Sequence, residues 1–232
     1  MKIALLGYGK MGKVIERIAL ERGHEIILKK TEENSFDGLL SADVAIDFSV
    51  PTAAVENISE CLHNAIPIVS GTTGWLDNYD AMVDLCKSKN GAFIYGSNFS
   101  LGVNLFFELN TKLAKMMSRF DQYNVSMEEI HHTQKLDKPS GTAITLAEGI
   151  LAESKFAKWS IENPKENELF IDVKRIDAVP GTHSVYYTSN VDTLEIKHTA
   201  HNRDGFAFGA VIASEWLVNK KGVFTMKDVL EL

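Results

Sequence analysis

The chain has 232 residues, 45% of them hydrophobic and 24% charged, with a formal net charge of −7. These proportions suit a globular protein large enough to bury a substantial core, and the acidic balance argues against a nucleic-acid partner, which needs a basic surface. No apolar run approaches the about 20 residues that cross a bilayer, so no membrane partner is expected.

The first residues, Ile3 to Leu6, form a short apolar run of buried-strand type, not an apolar leader. The run leads into Gly7-Tyr8-Gly9-Lys10-Met11-Gly12, a G-x-G-x-x-G pattern, and Met11 to Glu21 continues as a helix. In that setting Gly7 permits the tight turn, Gly9 lets a pyrophosphate approach the backbone, and Gly12 lets the helix pack on the sheet. The pattern is weak in isolation but specific between a strand and a helix, and it predicts a dinucleotide site. Further strands are predicted at Glu25–Leu28, Val44–Phe48, Pro67–Ser70 and Ala92–Tyr95, with helices from Pro51 to about Leu62 and from Asn78 to Ser88. Such alternation implies a parallel sheet with helical crossovers. Ligands of these sheets sit beyond the carboxyl ends of the strands. The loops Asp47–Ser49, Gly71-Thr72-Thr73 and Gly96-Ser97-Asn98-Phe99 therefore join the glycine loop as candidate lining.

From Leu101 the pattern changes. A helix is expected from Leu105 to Met117, with Leu105, Phe106, Leu109, Leu113 and Met116 on one buried face. A strand from Tyr123 to Ile130 follows, then a helix from Thr142 to Ala152 and extended segments at Phe170–Ile176, His183–Thr188 and Thr193–His198. A last helix, Gly209–Val218, is expected to return to the first sheet. Cys61 and Cys86 lie in apolar contexts without metal-ligand spacing and read as reduced packing residues of a cytosolic protein. Neither HExxH nor CxxC occurs, so no metal site is expected.

Between the Tyr123–Ile130 strand and the Thr142 helix runs His131-His132-Thr133-Gln134-Lys135-Leu136-Asp137-Lys138-Pro139-Ser140-Gly141-Thr142-Ala143. Imidazoles exchange protons near neutral pH, an ammonium offsets negative charge, and a Ser-Gly-Thr helix entry offers N–H groups to an anion. Together they describe a pocket for a small acid that must be protonated. The plainer reading is a polar loop in which Ser140 or Thr142 caps the helix.

With both motifs considered, the chain resembles the 4-hydroxy-tetrahydrodipicolinate (dihydrodipicolinate) reductases of lysine and diaminopimelate synthesis, nearly end to end. The resemblance rests on Glu129-Ile130-His131-His132 through Ala143, on Asp47-Phe48-Ser49, Gly71-Thr72-Thr73 and Ser97-Asn98-Phe99-Ser100, and on Arg203 with Phe206-Ala207. It implies an α/β protein: a Rossmann-type doubly wound parallel sheet over residues 1–102 and 207–232, completed by the C-terminal helix, and an inserted α+β domain over 103–206. That second domain, with a mixed sheet, would bind substrate and build a homotetramer. The implied activity is reduction of a small cyclic dicarboxylate by NADH or NADPH. His131 and Lys135 would be catalytic. His132, Lys135, Ser140, Gly141, Thr142 and Arg203 would hold the substrate. The cofactor would meet Gly7 to Gly12, Thr31, Glu32, Phe48, Gly71 to Thr73 and Gly96 to Phe99. Thr31 stands where many members end the second strand in an acid, which leaves NADH and NADPH both open, and Asp177 stands where a glycine is usual. The alternatives are a Rossmann dehydrogenase for another small acid and a dinucleotide sensor without chemistry.

Overall fold

The computed structural model describes residues 1–202 and 204–232. Two compact units result. The first comprises Met1–Leu101 with Asp204–Leu232, and the second residues 102–203.

In the first unit, β1 (Lys2–Leu6), β2 (Glu25–Lys30), β3 (Val44–Asp47), β4 (Ile68–Ser70), β5 (Ala92–Tyr95) and β11 (Gly222–Phe224) form one sheet in the order β11-β5-β4-β3-β1-β2. Every pairing is parallel. Alternate residues of β1 explain its unbroken apolar run. Ile3 and Leu5 pack with α1 (Lys10–Glu21) and α6 (Asp204–Leu217), while Ala4 and Leu6 pack with α2 (Pro51–His63) and α3 (Tyr79–Ser88). A strand covered on both faces needs apolar side chains on both. Pro51 opens α2, where its missing N–H breaks no helical bond.

The second unit begins with α4 (Leu101–Met117), whose first residue belongs to the first, and includes β6 (Asn124–His131), α5 (Gly141–Leu151), β7 (Lys158–Ser160), β8 (Glu168–Arg175), β9 (Gly181–Thr188) and β10 (Thr193–Ala200). Its sheet order is β10-β9-β6-β8-β7. β6 runs parallel to β8 and antiparallel to β9, so this sheet is mixed. Helix α5 and strands β6, β8 and β9 share a core of Met127, Leu146, Ile150, Ile171 and Val185.

Several details correct the sequence-based expectations. Helix α4 starts at Leu101 and α6 at Asp204, each earlier than expected. Leu105, Leu109 and Met116 are exposed, and α4 instead buries Val103, Phe106, Asn110, Leu113 and Ala114. The buried stripe is shifted because it carries a polar residue: Asn110 donates to the Leu146 carbonyl at 2.9 Å. His131 belongs to β6 itself, not to the loop after it. Strands β7 and β11 and helix α7 (Met226–Leu230) are additions.

Candidate active site

The first-unit sheet supplies a cleft by topology. From β1 the chain moves to β2 on one side and then to β3 on the other, so strand order reverses at β1 and β3. Such a reversal parts the loops at the strand ends and leaves a crevice. The loops after β1 and β3, with the end of β2, line a cleft of about 310 Å³; among its walls are Gly7, Tyr8, Gly9, Thr31, Glu32 and Phe48. Lys30, Ser49 and Asn57 line it too. Six of the residues expected at the cofactor thus meet in one place.

The backbone there fits a pyrophosphate. Gly7 has φ +100°, and a side chain on it would overlap the Phe48 carbonyl. Gly9, by contrast, faces open space: a Cβ there would meet nothing within 4 Å. Lys10 and Met11 open α1, which has no side-chain cap and no acid in its first turn, so its N–H groups remain available to an anion.

Beneath this rim lies Asp47, fully buried at the end of β3. Its carboxylate accepts from Ser49 Oγ at 2.6 Å, Ser70 Oγ at 2.7 Å and Asn57 Nδ2 at 2.9 Å. Burial pushes the Asp47 carboxyl above its ordinary value, opposed by these hydrogen bonds. The network ties the β3 loop to the β4 loop, where Thr72 Oγ1 accepts from the Ser49 amide at 2.8 Å. Gly71 lies against the Phe48 ring, where a side chain would collide, and Thr73 beside it is exposed. Gly96 lies under the ring of Phe99, which is itself core and stands 5.9 Å from the Phe48 ring centroid. Ser97 is exposed, and Asn98 Oδ1 accepts from the Ser100 amide at 2.9 Å.

In the second unit, the C-terminal end of β6 gathers the histidine motif. Glu129 is completely buried. Both terminal nitrogens of Arg175 donate to its Oε1 at 3.0 Å, and the Ser140 amide donates to its Oε2 at 2.9 Å. Arg175 also donates to the Asp137 carbonyl at 2.7 Å and the Lys135 carbonyl at 3.3 Å, so one guanidinium pins the loop that carries the motif. Ser140 caps α5, accepting from the Ala143 amide at 3.2 Å. The capping reading of that serine therefore holds, and the same residue also reaches into the cluster.

His131 projects beside Glu129, with Nδ1 3.8 Å from Oε2. A second imidazole, His183 on β9, stands 3.8 Å from the same oxygen and meets Ser140 Oγ at 3.1 Å. The two rings are edge-on, 5.0 Å between centroids. Gly181 makes room for them: a Cβ there would press on His131 Nε2 at 3.0 Å. Lys135 pairs with Asp137 at 2.8 Å, His132 is half-buried, Gly141 is exposed and Thr142 half-buried at the start of α5. Arg203 lies outside the described residues.

Electrostatics divides the cluster. Burial would raise the Glu129 carboxyl, but hydrogen bonds from Ser140 and Arg175, with His131 alongside, outweigh it and hold the carboxyl below its ordinary value. Burial lowers His131, reinforced by Lys135 and Arg175 and opposed by Glu129. His183 is driven down to about 3, by burial first and by His131 second. The free protein therefore holds an ionised carboxylate between two neutral imidazoles. Donor atoms of Glu129, His131 and His183 lie within 4.8 Å of one another, as a metal site would need. The Arg175 and Lys135 cations beside them oppose a divalent ion.

Sequence reasoning singled out neither Arg175, Glu129 nor His183 as part of the site. Glu129 had a visible signal, two residues before His131 on the same face of a strand. The other two come from strands β8 and β9, and only the pairings Glu129 with His183 and His131 with Arg175 bring them in.

The fold and the first cleft define a Rossmann-type α/β protein joined to a mixed-sheet unit. Residues 1–99 match the family model for the N-terminus of dihydrodipicolinate reductase, and residues 102–230 that for its C-terminus. A 4-hydroxy-tetrahydrodipicolinate reductase from Christiangramia forsetii is 57% identical over 99% of this chain and 98% of its own. One from Thermosipho africanus is 34% identical over 100% and 98%. Dipicolinate-bound dihydrodipicolinate reductase from Paenisporosarcina sp. TG-14 superposes with a TM-score of 0.79, at 22% identity and 97% coverage of both chains, a likeness of fold. This chain belongs to the dihydrodipicolinate reductase family, whose members are oxidoreductases. Among the described residues, no helix is long and apolar enough to cross a membrane.

Proposed function

We propose that the chain reduces 4-hydroxy-tetrahydrodipicolinate to tetrahydrodipicolinate in lysine and diaminopimelate synthesis. The reading is carried by the buried, charge-balanced cluster around His131, in a chain 57% identical over nearly its whole length to a reductase of that name. That likeness favours neither of the alternatives, a dehydrogenase for another small acid or a sensor without chemistry. NADH or NADPH, bound along Gly7 to Gly12 and the loops after β3, β4 and β5, supplies the hydride.

The chain's own residues then have separable tasks. Lys135, His132, Ser140 and the first amides of α5 at Gly141 and Thr142 hold the substrate carboxylates, with Arg203 assigned to the same task by resemblance. The substrate's 4-hydroxyl and a ring proton leave as water, and His131 delivers the proton that balances the hydride added to the resulting double bond, directly or through water, with Lys135 as the second donor. The free imidazole is neutral at pH 7, whereas a bound dicarboxylate adds negative charge beside it and raises its proton affinity. Substrate binding thus loads the proton when it is needed. Glu129 and Arg175 position the motif, and Glu129 favours the imidazolium once it forms.

Cofactor choice turns on the end of β2. Lys29 is occupied: it pairs with Glu16 at 2.5 Å and lies over the Tyr8 ring. Lys30 lines the cleft and can meet a 2′-phosphate, while Thr31 and Glu32 can meet a free ribose hydroxyl. Both cofactors are therefore used, within about a thousandfold of each other in kcat/KM, the equivalent of about 4 kcal/mol. A cytosolic homotetramer built through the second unit completes the reading. In support, β10 is an edge strand of the mixed sheet and is largely exposed, an edge that a second copy would cover.

The test is a coupled assay that generates substrate from pyruvate and aspartate semialdehyde and follows NADH and NADPH oxidation separately. Turnover with both supports the proposal. Oxidation of neither removes it.

A further inference from the structure

At the opposite end of β6 from His131, the second unit has a cavity of about 440 Å³ that the chemistry above does not use. Asn124 at its edge and His131 are the two ends of one strand, about 23 Å apart at about 3.3 Å per residue. Its size falls within the usual range for a small-molecule pocket, about 300–1,000 Å³. Met117, Val125, Ile150, Phe156 and Phe170 supply apolar walls.

Two kinds of group in these walls lack partners. Tyr187 is only 4% exposed, and its hydroxyl makes no hydrogen bond; Ser154 Oγ, also on the lining, makes none either. Buried hydroxyls are rarely left unpaired, and two occur among the residues that line this one cavity, where a polar group could pair with them. Burial pushes the Tyr187 phenol up to about 12, which keeps its oxygen neutral and able to accept. The second kind is charge. Asp121 on the lining is balanced by Lys155 at 3.2 Å, and Glu168 by Lys158 at 3.3 Å. Glu153 and Glu166 line the same cavity, and among the described residues neither side chain has an ion pair. The cavity thus offers acceptors, uncompensated negative charge and aromatic faces, which favour a cation.

We propose that this cavity is a second small-molecule site, for an organic ammonium with an apolar body. It takes the opposite charge class from the site at His131. Titration of the full chain with benzylamine, followed by ligand-observed NMR, tests this alongside benzyl alcohol and phenylacetate, which share the ring but not the charge. Benzylamine should saturate and bind at least tenfold more tightly than either. A Glu153→Gln/Glu166→Gln double variant should weaken it at least fivefold and Tyr187→Phe at least threefold, while His131→Gln leaves it unchanged. Tyr187→Phe keeps the ring and removes only the unpartnered hydroxyl; were it to misfold, the pair of half-buried Glu153 and exposed Glu166 decides alone. Equal binding of the three probes would show a merely apolar hole. That result, the absence of saturation, or affinity unaltered in the glutamate double variant overturns the proposal.

Discussion

Glu129 and Arg175 offer the sharpest energetic test of the site. The carboxylate is fully buried, and the Arg175 side chain is 10% exposed, with two contacts of 3.0 Å between them. Replacing Arg175 with Met keeps most of the side-chain volume but leaves Glu129 with Ser140 as its donor and without the cation in contact with it. Breaking a buried pair from one side costs about 3–5 kcal/mol, because an uncompensated charge stays behind. It also frees the Lys135 and Asp137 carbonyls that Arg175 holds. Adding Glu129→Gln removes the stranded charge, and a neutral amide still accepts from Ser140. The double variant should therefore recover stability relative to Arg175→Met, with a coupling energy of at least about 2 kcal/mol. Urea unfolding at neutral pH, monitored by circular dichroism for wild type, both single variants and the double, gives the cycle. Additive effects, with coupling below about 0.5 kcal/mol, would refute the claim that the pair acts as a unit.

Three further outcomes follow from the same geometry. His183 is neutral in the folded chain down to about pH 3, whereas an unfolded histidine takes up its proton near 6.5. Stability is accordingly lost as pH falls from about 6.5 toward 3, by about 2.5 kcal/mol at about pH 4.5 from this group alone; His183→Asn should flatten that slope in denaturant titrations, and an unchanged slope would contradict the assignment. At the end of β2, Lys30→Ala should raise KM for NADPH about threefold to tenfold and leave NADH nearly untouched, with the reverse for Glu32→Ala, since an exposed charge contact is worth about 1 kcal/mol; matched changes in both cofactors would show that neither residue reads the ribose. Asp47→Asn presents an amide donor to Ser49, Ser70 and Asn57, so it should destabilise the first unit by about 2 kcal/mol and weaken cofactor binding in fluorescence titration, and neutrality in both would mean the network is incidental.

How much of this was legible in the sequence depended on whether the signal was local. The glycine loop, the entry to α5 and the βα alternation are short-range patterns, and the structure has each of them. Helix α4 shows the limit. Its apolar residues outnumber the positions it buries, and Asn110 breaks the stripe that is buried, so periodicity selected Leu105, Leu109 and Met116, which the fold leaves exposed. Strands β7 and β11 have only three residues each, too few for a period to emerge. In the site, the run from His131 to Thr142 identified its own chemistry, but not what holds it. Arg175 and His183 reach His131 only through strand register, which no local pattern encodes.

The central claim is that His131 carries proton transfer while the first unit carries the cofactor. Steady-state turnover of His131→Gln, set beside its affinity for NADH and NADPH in the absence of substrate, tests that division most directly. Glutamine can still hydrogen-bond to a substrate but cannot transfer the proton near pH 7. The account predicts a fall in kcat of about a hundredfold to ten-thousandfold, as loss of a general acid gives, with cofactor affinity within a few-fold of wild type. An unchanged kcat would contradict it and would leave His131 as a positioning residue, with the proton coming from Lys135 or from solvent.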